Sequence, residues 1–186
     1  MVEFFLNNKK VVAKDDETIW SVAKREGITL PHLCFADKPG YRADGNCRAC
    51  MVSIEGERVL AASCIRKPTE GMKVLTNDER SIKSRKMVLE LLVTDQPDRD
   101  TSHDPDSHFW KIASDIDVEK SRFEKREKKI VPCEDSSHVA MSVNLDACIH
   151  CNLCVRACRE VQVNDVIGMG NRGHHSKVVF DFNDPM

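Results

Sequence analysis

The chain has 186 residues, 28 basic and 30 acidic side chains, a formal net charge of −2 and only 5% aromatics. That balance provides no bulk attraction to nucleic acid or an anionic membrane, and no apolar run approaches the ~18 residues of a membrane span. The length allows one or two small domains, and metal centres would supplement the thin apolar content in stabilising them.

Residues 2–6 and 9–13 are expected to pair as strands. Val2, Phe4 and Leu6 alternate, Asn7-Asn8 turns, and Val11-Val12 continues on the far side. Asp15-Asp16 offers an N-cap for a short helix with Ile19, Val22 and Ala23 on one face, ending at Gly27. Pro31 opens a loop to Cys34. Further strands are expected at 51–54, 59–63 and 72–76, with Gly56 and Gly71 at the turns. Strands, one helix, a cysteine loop and more strands make an α+β unit with the β-grasp pattern of [2Fe–2S] ferredoxins. A helix is expected over 79–94: Val88, Leu91 and Leu92 give i, i+3, i+4 spacing, and Leu89 and Val93 widen the apolar face. Arg80, Lys83, Arg85 and Lys86 read as its solvated side.

Composition changes at Asp95. The segment to Asp106 is rich in Asp, Pro, Ser and Arg and is expected to be an exposed loop. Phe109, Trp110 and Ile112 look like a local anchor, and 117–130 like a charged surface helix or extended linker. Acidic residues interrupt that charged run and no aromatic platform accompanies it, which argues against nucleic-acid binding. The organisation expected is a domain at 1–78, a linker helix and charged connection at 79–142, and a second metal-binding segment at 143–186.

Eight of the nine cysteines fall into two quartets. The first is Cys34, twelve residues, Cys47, two residues, Cys50, thirteen residues, Cys64. Four thiolates are what a [2Fe–2S] centre requires, and Gly40 and Gly45 would let backbone approach the sulfides. The second is Cys148, Cys151, Cys154 and Cys158, the C-x₂-C-x₂-C-x₃-C run of [4Fe–4S] ferredoxins, with Arg159 where Pro is usual. In two-cluster ferredoxins the fourth cysteine serves the neighbouring cubane. Two explanations stand: the chain is the front of a longer polypeptide and Cys158 serves a second cubane, or Cys133 or Cys158 closes a single cluster. The ending, Phe180 to Met186, favours truncation. Zinc is the structural alternative, but the first quartet has one C-x₂-C pair where a zinc ribbon has two. Disulfides would need a secretory route, and Met1 to Leu6 is too short and wrongly flanked for a signal peptide, so a reduced, cytoplasmic setting is expected. His32 reads as a packing or surface residue, His103, His108 and His138 as solvated, and His174-His175 carries no metal spacing.

These residues together, Cys34, Gly45-Asn46-Cys47-Arg48-Ala49-Cys50, Cys64 and the Cys148–Cys158 run, resemble an iron–sulfur region shared by three groups. They are the large iron–sulfur subunit of NADH dehydrogenase, the iron-only and NAD-linked hydrogenases, and soluble NAD-dependent formate dehydrogenase. Many of the first two carry a His-x₃-Cys-x₂-Cys-x₅-Cys centre between the quartets; counting from His103, those places hold Ser107, Trp110 and Ile116. The connection from Asp95 to Asp106, and the segment from Asn144 to Met169, are similar to the formate dehydrogenase alpha subunit. That resemblance implies an electron relay without catalytic residues of its own. Formate would be oxidised at a molybdenum- or tungsten-pterin centre outside this chain, and electrons would pass to flavin and NAD on a partner diaphorase subunit. The alternatives are a relay subunit of an NAD-linked hydrogenase or NADH dehydrogenase, and a zinc-stabilised structural or interaction protein. Arg48 and Arg156, each beside a ligand, are candidates to raise a cluster potential; a plain surface role is the other reading. No G-x-G-x-x-G or phosphate loop is present to bind nicotinamide or flavin.

Overall fold

Asn7 and Asn8 both take positive φ (49° and 68°), the backbone of a tight hairpin turn. They join β1 (Val2–Leu6) to β2 (Lys9–Ala13) in antiparallel register, with Phe4 opposite Val11. In this computed structural model, which describes residues 1–125 and 134–180, β1 also pairs in parallel with β5 (Lys73–Leu75). β3 (Met51–Ile54) lies antiparallel to β5, and β4 (Ala61–Ala62) completes the order β2-β1-β5-β3-β4. The last strands are shorter than expected: of the 59–63 stretch only Ala61 and Ala62 enter the ladder, opposite Val52 and Met51.

α1 (Ile19–Arg25) covers this sheet. Its cap is Thr18, whose hydroxyl accepts from the Ser21 amide, not the expected Asp15-Asp16. Phe4, Leu6, Ile19, Val22, Val52 and Val74 form the core between helix and sheet. Burying such side chains contributes about 1.5–3 kcal/mol each.

Residues 79–118 differ most from the expectation of a linker. α2 (Glu79–Val93) begins at Asp78, which accepts from the Ser81 amide and from the Ser53 hydroxyl of β3. Its buried stripe is Ser81, Arg85, Leu89 and Val93, a strict four-residue repeat. Leu91, assigned from the sequence to the apolar face, is 51% exposed, whereas Arg85, assigned to the solvated side, is buried. α3 (His108–Asp115) carries Phe109, Trp110 and Ile112, the expected anchor, into a second core with Leu89 and Val93. That core also contains Leu33 and Ala49 of the first cysteine loop, with Cys47 and Ile149 against it. The helical layer is therefore a floor on which both cysteine segments rest. Of the charged 117–130 run, 117–125 form no helix, and the remainder lies outside the described residues.

The C-terminal part has two small hairpins, β6 (Glu134–Asp135) with β7 (Val143–Asn144), and β8 (Ile167–Gly170) with β9 (Lys177–Phe180). Between them α4 (Leu153–Arg156) runs on into a π-helical turn, Ala157–Val161. Cys133 and residues 181–186 lie outside the described residues, so the expectations attached to them are not addressed by the fold. Among the described residues no helix is long and apolar enough to cross a membrane.

Candidate metal centres

The loop from Leu30 to Cys50 is pinned at both ends. At its start the Trp20 indole donates to the Leu30 carbonyl at 3.1 Å, and the ring meets His32 and Phe35 edge-on. His32 is thus a packing residue, half-buried, with Nδ1 2.8 Å from the Phe35 carbonyl oxygen. At the loop's end Ala49 and Cys50 are buried between the two cores. Cys64 is carried by a separate turn, which α1 holds by its unpaired end. The amides of Ile19 and Trp20 donate to the carbonyls of Arg66 and Ser63 at 2.9 and 3.0 Å, satisfying helix donors and fixing the turn together. Ser63 in turn donates its hydroxyl to the Cys50 carbonyl at 2.7 Å.

Packing links the thiols of the first quartet pairwise, Cys34 to Cys47 and Cys64, and Cys64 to Cys50. Hydrogen bonds from Cys47 and Cys64 hold Cys34 far below the usual thiol range, and the Cys64 thiol holds Cys50 down to about 6. The same contacts push Cys47 and Cys64 upward, since each keeps the proton it shares. Backbone amides add to this: Cys47 N–H donates to Cys34 Sγ at 3.4 Å, and the Asn46 amide also lowers Cys34. Thiolates gathered at one spot and met by amide donors fit the donor set of a [2Fe–2S] centre. Arg48 takes a left-handed backbone (φ 60°) and is exposed, in keeping with its surface reading.

Gly45 also meets a demand that arises within the protein itself. A Cβ at this position would stand 2.7 Å from Ile65 Cδ1, and φ is +65°. Neighbouring protein, the side chain that follows Cys64, sets the demand for glycine. Gly45→Ala is expected to cost about 3 kcal/mol in denaturant unfolding from combined clash and left-handed strain. Adding Ile65→Ala should recover the clash and leave about 1 kcal/mol of backbone strain.

In the second quartet, His150 (φ 52°) and Asn152 (φ 65°) bend the loop sharply on either side of Cys151. Cys148, Cys151 and Cys154 consequently act on one another electrostatically; burial pushes the half-buried Cys151 up, while Cys154 stays exposed. Three thiols on one loop fit three corners of a cubane. His150 Nε2 lies 2.8 Å from the Ser176 carbonyl oxygen, tying the loop to the turn before β9. Cys158 is buried one turn further on, in the π-helical turn, and accepts from the Val166 amide at 3.3 Å. Among the described residues no three His, Cys, Asp or Glu side chains converge as a site for a single ion.

The two quartets are neighbours. Between them lies Arg156, 3% exposed, which donates to the carbonyls of Cys34 and Arg42 and stands 3.0 Å from Asp44. Arg42 reaches back across the same seam to Glu160, at 2.9 and 3.1 Å. A plain surface role for Arg156 is excluded by this burial. Sequence reasoning missed its partners because they lie 114 and 122 residues away.

A five-stranded sheet that presents Cys34, Cys47, Cys50 and Cys64 from one loop and one turn fits the donor set of a [2Fe–2S] domain. Comparison with known proteins agrees: residues 1–79 match the family model described as a 2Fe-2S iron-sulfur cluster binding domain. Nearly the whole chain is also similar to larger proteins. The NADP-reducing hydrogenase subunit HndD of Solidesulfovibrio fructosivorans is 29% identical over 179 residues, 93% of this chain and 30% of that protein. The mitochondrial NADH-ubiquinone oxidoreductase 78 kDa subunit of Candida albicans is 29% identical over 183 residues, 95% of this chain and 25% of that one. An NADH-quinone oxidoreductase subunit of Rickettsia prowazekii is 23% identical over 184 residues, covering 96% and 26% respectively. The chain therefore spans under a third of the length of these relatives. The fold is shared with a chain of the NAD⁺-reducing [NiFe]-hydrogenase in its H₂-reduced state (TM-score 0.81, 24% identity, 96% of this chain, 74% of that one).

Proposed function

We propose that this chain is an electron-relay module of an NAD(P)-linked hydrogenase or NADH dehydrogenase assembly. Cys34, Cys47, Cys50 and Cys64 hold a [2Fe–2S] centre, and Cys148, Cys151 and Cys154 hold three corners of a [4Fe–4S] centre. The observation that carries this is the seam between the quartets, where Arg156 ties the Cys34 loop to the second cysteine helix. Bound clusters supply one-electron chemistry. The chain's own work is to gather the thiolates, aim amides at them, and keep the two sites adjacent. Cys158, one turn beyond the trio, serves as the fourth corner or as a ligand of a further cubane. The partners are a catalytic subunit or domain and a flavin- and NAD-binding subunit, in a cytoplasmic complex.

One observation favours a second reading, the formate dehydrogenase relay. The places of the intervening His-x₃-Cys-x₂-Cys-x₅-Cys centre are filled by α3: Ser107 caps the helix, Trp110 is buried and Ile116 packs beside it. In that reading the pterin centre lies outside this chain.

Anaerobic purification from the native source tests both. Iron with acid-labile sulfide, a [2Fe–2S] paramagnetic signal that persists on warming and a second that appears only when cold are expected. Copurifying hydrogen- or NADH-linked activity supports the first reading, formate-linked activity the second. A colourless zinc protein would end both.

A further inference from the structure

Arg85 is a cation buried in an unusual setting. Its guanidinium donates to two neutral carbonyls, Met51 O at 3.0 Å and Thr76 O at 2.6 Å. Among the described residues no carboxylate stands within ion-pair distance of it. Moving a full charge out of water for two carbonyl acceptors is costly unless a negative charge lies nearby. Two are felt at this position: Asp78, one turn before the start of the Arg85 stripe, and Cys50, the residue that precedes Met51. Burial pulls the guanidinium below its usual value, yet arginine stays charged in proteins.

Resting on the assignment of Cys50 to the [2Fe–2S] centre, we propose that Arg85 is a fixed buried positive charge that raises this centre's reduction potential. A tetrathiolate [2Fe–2S] centre is anionic, and reduction adds one more negative charge. A cation held behind the Cys50–Met51 backbone therefore stabilises the reduced form more than the oxidised one. α2 is placed to do this. Arg85 shares the stripe of Leu89 and Val93, whose packing prevents the guanidinium from swinging to water.

The test is a potentiometric titration of the [2Fe–2S] signal in the anaerobically purified full chain. Arg85→Met is expected to lower the reduction equilibrium constant about tenfold, which is 59 mV for a one-electron couple. Arg85→Lys, which keeps the charge, should stay within about twofold of the parent. Asp78→Asn keeps an oxygen to cap α2 but removes the opposing charge, and should shift the potential upward. It tests the idea even where R85M fails to load its cluster. An unshifted R85M with an intact signal, an R85K that shifts as far as R85M, or a downward shift in D78N overturns the proposal. A parent chain with zinc and no [2Fe–2S] signal overturns the cluster assignment beneath it as well.

Discussion

Cys64→Ser should strip the [2Fe–2S] signal from the protein and destabilise the N-terminal domain by more than about 4 kcal/mol, the range reserved for lost metal sites and buried polar defects. The argument starts from where the sulfur sits. Cys64 is 2% exposed and is a member of the same core as Phe4, Ile19 and Val52. Its thiol is a shared neighbour of Cys34 and Cys50, so a serine hydroxyl would face two thiolates in an apolar site. The turn that carries it closes the end of α1, through Ile19 and Trp20. Loss of the cluster would therefore propagate into the helix and the sheet it covers. Cys47→Ser should cost less stability, because Cys47 is only half-buried and at the edge of the second core. Chemical denaturation of the parent and both variants, with iron and sulfide measured on each, decides this. Equal destabilisation at positions 47 and 64 would contradict the packing argument.

Features set by near neighbours in the sequence were legible before the fold was seen. The first hairpin needed only the alternation of Val2, Phe4 and Leu6 and the Asn7-Asn8 turn, and its bounds match. Cysteine spacing set out both quartets as candidates, because close thiols on a turn leave a pattern in the sequence. Features set by distant partners were not legible. Arg85 read as solvated since its charge was visible and its carbonyl partners, on β3 and after β5, were not. The Thr18 cap lost to Asp15-Asp16 in the sequence, since several residues in a row can cap and only packing chooses. The segment after Val93 looked like a connection by composition. Yet Phe109, Trp110 and Ile112, foreseen as an anchor, close a core with Leu33 and Ala49 that no periodicity could show.

Arg156→Met should undock the second cysteine segment from the first while leaving the N-terminal sheet intact. The side chain is almost wholly buried and binds three groups across the seam: the Cys34 carbonyl, the Arg42 carbonyl and Asp44. Removing one member of a buried charge pair costs about 3–5 kcal/mol. Asp44 keeps Arg42 as a second partner, which places this case near the lower figure. About 3 kcal/mol is two decades in a local opening equilibrium. Amide exchange in residues 148–161 should thus quicken about a hundredfold, with β1, β2 and α1 unchanged. Arg156→Lys should fall between, because a single ammonium cannot reach two carbonyls and a carboxylate with the geometry of a planar fork. Glu160→Gln weakens the exposed Arg42 contact on the same seam and should cost under about 1 kcal/mol. The order R156M, R156K, E160Q follows from burial together with the guanidinium's fork geometry. If exchange in 148–161 were the same in R156M and the parent, the seam would not be what holds the two thiol groups together, and the adjacency on which the relay depends would need another cause.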